Sequence, residues 1–142
     1  MRLKSELVKK VATLGLVGTM SVAGMGTSAM AASSVSGKLN GFTYTASISK
    51  DNYCATAKTT FSRGSSNIKA KATVYYWWGN KHYQSSVSAN SSAGGASAVA
   101  KKQIGGADVV GGKGVHSVSY DAYKWGDVTT TTGQIVPTAI VI

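Results

Sequence analysis

Ile68-Lys69-Ala70-Lys71-Ala72-Thr73-Val74-Tyr75-Tyr76-Trp77-Trp78 is the stretch that decides the fold of this 142-residue chain. Apolar side chains stand at 68, 70, 72, 74, 76 and 78, with lysine, threonine and amphipathic aromatics between them. A period of two is that of a β-strand, whose successive side chains point to opposite faces. On a helix the same alternation would be spread around the whole circumference and would build no buried stripe. The segment therefore reads as a strand with an even-numbered face for a core and an odd-numbered face for solvent.

The pattern repeats on both sides. Gly79-Asn80-Lys81 is a tight reversal, and Tyr83, Ser85, Val87 and Ala89 mark a return strand. Upstream, Tyr53, Ala55, Ala57, Thr59 and Phe61 alternate between turns at Lys50-Asp51-Asn52 and Arg63 to Asn67. Further up, Val35, Gly37 and Leu39 lead through Asn40-Gly41 into Phe42, Tyr44, Ala46 and Ile48. Asn-Gly between two alternating runs predicts a hairpin, because both residues tolerate the positive φ of a type I′ turn. Downstream, Asn90 to Gly95 is a polar loop, and Ala96, Ala98 and Ala100 alternate again. The glycine-rich stretch from Gly105 to Gly114 is expected to interrupt regular pairing, with strands resuming over Val115 to Tyr120 and Tyr123 to Thr132. No segment after residue 32 shows apolar residues at i, i+3, i+4 and i+7 over three turns.

Seven to nine short strands separated by frequent turns predict an all-β fold: a small two-sheet antiparallel β-sandwich, immunoglobulin-like or similar, with a small barrel as the alternative. The Cys…Trp…Cys pattern of true immunoglobulin domains is absent. The sandwich is expected over residues 33–134, and 135–142 form an apolar C-terminal tail or edge strand.

Residues 1–32 read as a cleaved N-terminal signal peptide. Arg2, Lys4, Lys9 and Lys10 open it, Val11 to Ala23 is mostly apolar, and Ala29-Met30-Ala31 offers the small-x-small cleavage pattern. Glycines at 15, 18 and 24 break the apolar run, which falls short of the roughly 20 residues that span a bilayer. The expected product is extracellular, free or associated with the cell surface, with no integral membrane span. It is one domain of about 110 residues. Cys54 is the only cysteine, so no disulfide forms within one chain; it reads as a small buried strand residue.

After residue 32, eleven basic residues face four acidic ones, a net charge of +7. Such an excess favours anionic partners: teichoic acids or another cell-envelope polymer, an acidic polysaccharide, anionic lipid headgroups, or nucleic acid incidentally through charge alone. Scattered lysines also serve solubility.

Catalytic readings find little footing. Paired-carboxylate hydrolysis needs two acids close together, and residues 33–142 hold no glutamate and four aspartates, three of them in expected turns. His82 and His116 sit in no nucleophile motif, and no Gly-x-Ser-x-Gly elbow exists. Two histidines and one cysteine lack paired metal-ligand spacing, so no metal or cofactor is expected. Gly111-Gly112-Lys113-Gly114 lacks the Ser or Thr that a phosphate-binding Walker loop places after its lysine.

The candidate ligand-binding residues are Lys69, Lys71, Tyr75 and Trp77, the odd face of the deciding strand. Over about 27 Å of strand they would form a cationic and aromatic stripe, rings stacking on sugars and lysines meeting phosphate or carboxylate. Lys81, His82, Tyr83 and Lys124 are positioned to extend it. Aromatic residues on a sheet equally serve cross-strand packing, and one of Trp77 and Trp78 is expected to face the core. Three functions follow as expectations: a non-catalytic extracellular module binding an anionic glycan or envelope polymer, a bacteriocin-like antibacterial protein, or a matrix or adhesion subunit that forms homo-oligomers through residues 135–142.

Overall fold

The computed structural model describes residues 33–142; the signal peptide expected over 1–32 lies outside the described residues. Nine strands follow in order: β1 (Ser34–Leu39), β2 (Phe42–Lys50), β3 (Cys54–Phe61), β4 (Asn67–Trp78), β5 (Lys81–Ser91), β6 (Gly95–Lys101), β7 (Asp108–Tyr120), β8 (Tyr123–Gly133) and β9 (Ile140–Val141). They form two sheets, β1-β2-β3-β6 and β8-β7-β4-β5-β9. The protein is an all-β two-sheet sandwich, antiparallel except where β9 joins β5 in parallel.

Local chemistry sets the hairpins. Asn40 and Gly41 both take positive φ (51° and 86°), as a type I′ turn requires, and pair Leu39 with Phe42. The four-stranded sheet turns Val35, Tyr44, Ala46, Ile48, Ala55, Ala57, Phe61, Ala96, Ala98 and Ala100 inward. The five-stranded sheet answers with Ile68, Ala70, Ala72, Val74, Tyr76, Val118, Tyr120 and Trp125. The even face of β4 is therefore the dry one from Ile68 to Tyr76, as its periodicity predicts.

Alanine dominates the middle of this core, and glycine completes it. A Cβ on Gly112 would stand 2.8 Å from the Ala55 Cβ of the opposite sheet. A Cβ on Gly114 would stand 2.5 Å from His116 Nε2 and 2.6 Å from Thr130 Oγ1. The glycine-rich stretch thus does not interrupt pairing from Asp108 onward: β7 runs through it, with one irregularity opposite Tyr75 and Tyr76. These glycines are steric requirements of a thin core and not flexible links.

The chain after β8 explains a second departure. β8 and β9 lie at opposite edges of one sheet, so residues 134–139 must cross it. Gly111 and Gln84 flank Tyr75 in register on its two sides. A Cβ on Gly111 would collide with the Gln134 backbone, and Gln84 Nε2 donates to the Ala139 carbonyl at 2.9 Å. The crossing segment therefore runs as a strap over the outer side of Tyr75. Its end is fixed by the β5–β9 pairing and by the Ile142 amide donating to Gln84 O at 3.0 Å.

Gly111→Ala should lift this strap, because the methyl group would occupy the place of the Gln134 carbonyl. The expected loss is about 2 kcal/mol or more, read by denaturant unfolding, with faster amide exchange confined to residues 134–142 and β5.

Candidate functional site

The outer face of the five-stranded sheet follows from register. Lys69 pairs with Asn90 and Ser117, Lys71 with Ser88 and Val115, Thr73 with Ser86 and Lys113, and Asn67 with Ser119, which pairs with Lys124. Because directly opposed residues share a face, Lys69, Lys71, Lys113 and Lys124 lie together on three adjacent strands. Around them stand Ser88 and Asn90 of β5, Ser117 and Ser119 of β7, and Thr129 and Thr131 of β8. No carboxylate occurs in these registered positions from Asn67 to Tyr75; Asp127, the nearest in β8, sits in the bulge opposite Ser117 with φ 55°. Lys69, Lys71 and Lys124 are exposed and Lys113 half-buried.

Of the four candidates from the sequence, Lys69 and Lys71 stand on this face as expected. Tyr75 does not reach solvent: it is 1% exposed, and this corrects the expected binding role. Its parity is outward as predicted, yet the 134–139 strap covers it, and burial raises its phenol pKa. Thr73, also on the odd face, is buried and hydrogen-bonded to Ser86 at 2.7 Å. Trp77 is exposed but lies beyond the strap, against His82 with ring centroids 4.5 Å apart. The stripe is thus divided into a lysine part and an aromatic part. The expectation that one of Trp77 and Trp78 enters the core is also corrected: both are exposed at the end of β4.

Lys113 is the residue that sequence reading assigns to a flexible glycine turn, with anion binding by it and the turn amides as the alternative, and not to this sheet face. The inward series 112, 114, 116, 118 continues the parity of β7 back through the glycines and places 113 outward; the glycines hid that signal. Lys124 joins the face, while Tyr83 turns inward and stacks on Tyr76 at 5.9 Å.

Groups with catalytic potential are placed elsewhere. His116 is fully buried between the sheets. Thr59 Oγ1 donates its proton to the Lys69 carbonyl at 2.8 Å, so it accepts from His116 Nδ1 at 2.8 Å. His116 Nε2 is then the acceptor for the Thr130 hydroxyl at 2.7 Å. This neutral chain ties β3, β4, β7 and β8 together, and burial pushes the imidazole down from 6.5 to about 4. Cys54 is half-buried and not a core residue. Its thiol lies 3.6 Å from Asp51 Oδ1, and partial burial, followed by the Asp51 charge, raises its pKa. The same carboxylate accepts from the amides of Tyr53 and Cys54. Among the described residues no group of three His, Cys, Asp or Glu gathers to hold a metal.

Comparison with family models, characterised proteins and solved structures finds no match for this chain. The face therefore stands on its own geometry.

Two measurements check these placements. Tyr75→Ala should cost about 3 kcal/mol or more, as removal of large buried aromatics does, read as a lowered denaturation midpoint. Stability should also depend on pH through His116. The unfolded chain takes up that proton near 6.5 and the folded chain only near 4, so stability is complete above about 6.5 and falls toward 4 by about 3 kcal/mol. His116→Leu should flatten this part of the pH profile in urea melts.

Proposed function

We propose that this protein is a secreted, non-catalytic binding module that docks on an anionic glycan or cell-envelope polymer through Lys69, Lys71, Lys113 and Lys124. The observation that supports the reading is the convergence of these four lysines from three strands on one sheet face with hydroxyl neighbours and no registered carboxylate. Lysine is a compact point charge on a flexible stem, suited to a run of phosphates or carboxylates without demanding one geometry. The serine and threonine hydroxyls beside it donate to the same oxygens or to sugar hydroxyls. A rigid sheet beneath them limits the backbone ordering that binding must overcome.

The absence of catalysis is part of the proposal, and the fate of the titratable groups supports it. His116 is consumed by the core threonines, and the Cys54 thiol lies against the Asp51 carboxylate. Export through residues 1–32 would bring the face to an extracellular polymer. Assembly by donation of residues 135–142 has less support, because Ile140 and Val141 already pair with β5 of their own chain.

The test is retention on a poly(glycerol phosphate) column. The Lys69→Ala/Lys71→Ala/Lys113→Ala protein should bind about a hundredfold more weakly at low salt, at about 1 kcal/mol per lysine. The salt dependence of binding should become shallower by about three counterions. Unchanged retention in a folded triple variant would remove this face from the function.

A further inference from the structure

We propose that the end of the sandwich bearing Tyr53, Trp77, Trp78 and β9 is a second interaction surface, and that its partner is the headgroup boundary of an anionic lipid bilayer. Six of the nine large apolar side chains that the described residues leave exposed lie at this end or along the β5 edge that leads away from it: Tyr53 (68%), Trp77 (36%), Trp78 (47%) and Ile140 (45%), then Val141 (75%) and Ile142 (54%). Single exposed apolar residues are ordinary, but their collection at one end and its adjoining edge is not.

Three connections and the last strand meet to build it. The turn before β3 and the segment after β6 are joined by the Lys102 amide, which donates to Tyr53 O at 3.0 Å. The Lys102 ammonium donates to the Ala107 carbonyl at 2.5 Å and lies 5.2 Å from the Tyr53 ring centre. Trp78, at the end of β4, reaches across this segment: a Cβ on Gly106 would stand 3.1 Å from its ring. Trp77 leans on His82, and the next residue, Tyr83, pairs with Ile140. The aliphatic edge of β9 thereby continues the aromatic rim.

The chemistry of the rim selects its partner. His82 and the Gly106 backbone each lie against one side of Trp77 and Trp78, so the two indoles do not form one continuous flat platform for sugars. Isoleucine and valine have no flat face to offer. A bilayer interface rewards buried apolar area whatever its shape, and indole and phenol rings sit there with their polar atoms toward water. Charge favours an anionic lipid: Lys81 and Lys101 end their strands at the rim with Lys102 next to them, against Asp51 and Asp108, on a domain whose described residues carry a net +7. Asp51 is engaged by the Tyr53 and Cys54 amides, and Lys102 by the Ala107 carbonyl, which leaves Lys81 and Lys101 against Asp108. The rim is an end of the sandwich and the lysine face is a side, so contact at one leaves the other accessible.

Residues 33–142, which contain every described strand and the whole core, are to be mixed with sucrose-loaded vesicles of phosphatidylcholine, alone or with an equal part of phosphatidylglycerol. Sedimentation only with the anionic vesicles, together with a blue shift of tryptophan emission and quenching by brominated lipid, is expected; Trp125, buried against Tyr44, supplies a constant background. Trp77→Ser/Trp78→Ser should lower the partition coefficient about tenfold or more, while Lys69→Ala/Lys71→Ala/Lys113→Ala stays within about threefold of the parent. Val141→Ser/Ile142→Ser, which leaves the aromatic residues in place, should lower it several-fold and provides the check if the double tryptophan variant does not fold. Binding without a tryptophan shift, equal binding to phosphatidylcholine alone, or full binding by folded rim variants would overturn the proposal. Polymer retention of the parent protein is a separate measurement and stands or falls independently.

Discussion

The two sheets approach so closely that glycine and alanine must face each other at the centre, and this separation governs the rest of the molecule. Gly112 has no room for a Cβ against Ala55, and Ala57, Ala70, Ala72, Ala98 and Ala100 are almost wholly buried. Small side chains bury little area each, so the larger contribution comes from rings gathered away from that centre. Tyr44 stacks on Trp125 at 4.0 Å, and Phe42, Phe61 and Tyr120 meet at 5.7 to 5.9 Å. Arg63 closes the latter cluster, its guanidinium 4.0 Å from the Tyr120 ring centre. The one imidazole in the core fits because Gly114 leaves space beside it and two threonines satisfy both nitrogens. Removing either hydroxyl would leave a polar atom buried in low dielectric, where an unmet hydrogen bond costs most.

A thin core also determines what the outer faces are. On the four-stranded sheet, Ser47, Lys58 and Ser97 share one row and Ser36, Thr45 and Thr60 another, with the Thr45 and Thr60 hydroxyls bonded to each other. The five-stranded sheet carries the lysine quartet instead, but only over part of its surface. Toward the end of β4 the outer residues become apolar, and the strap from β8 to β9 covers Tyr75 there. Glycines at 111 and 133 let it lie close, since a side chain at either would strike backbone. The strap is thus what separates the charged part of the sheet from the aromatic end.

Periodicity made β4 legible residue by residue, and the same alternation made the hairpins and the all-β class legible. It reports which side of a strand a residue takes; it does not report what later crosses that side. Tyr75 is the clear instance: its outward parity was right, and its exposure was decided by a segment about 60 residues away in sequence. Trp78 shows the complementary limit, since inward parity guarantees burial only where the opposite sheet extends far enough to cover it. The glycines of β7 were misread for a related reason. A local reading treats Gly111, Gly112 and Gly114 as freedom, whereas their necessity comes from Gln134, Ala55 and His116. Lys113 was lost with them, although its position between two inward glycines held the parity that places it beside Thr73.

The division between lysine face and aromatic rim bears on how such a domain would work. Lysine side chains on a fixed sheet present charge at strand spacing while their ammonium groups remain mobile, which suits a polymer whose charges repeat but whose conformation varies. Each contact is weak and screened by salt, so affinity arises from several contacts held at once. The rim combines two contributions: apolar area concentrated at one end, which salt does not screen, and the attraction of its bordering lysines to anionic headgroups, which salt does screen. A bilayer meeting that end would leave the lysine side turned along the surface, toward polymer lying over it. The physical separation imposed by the strap would then let one small domain meet two phases of a cell envelope without either contact competing for the same side chains.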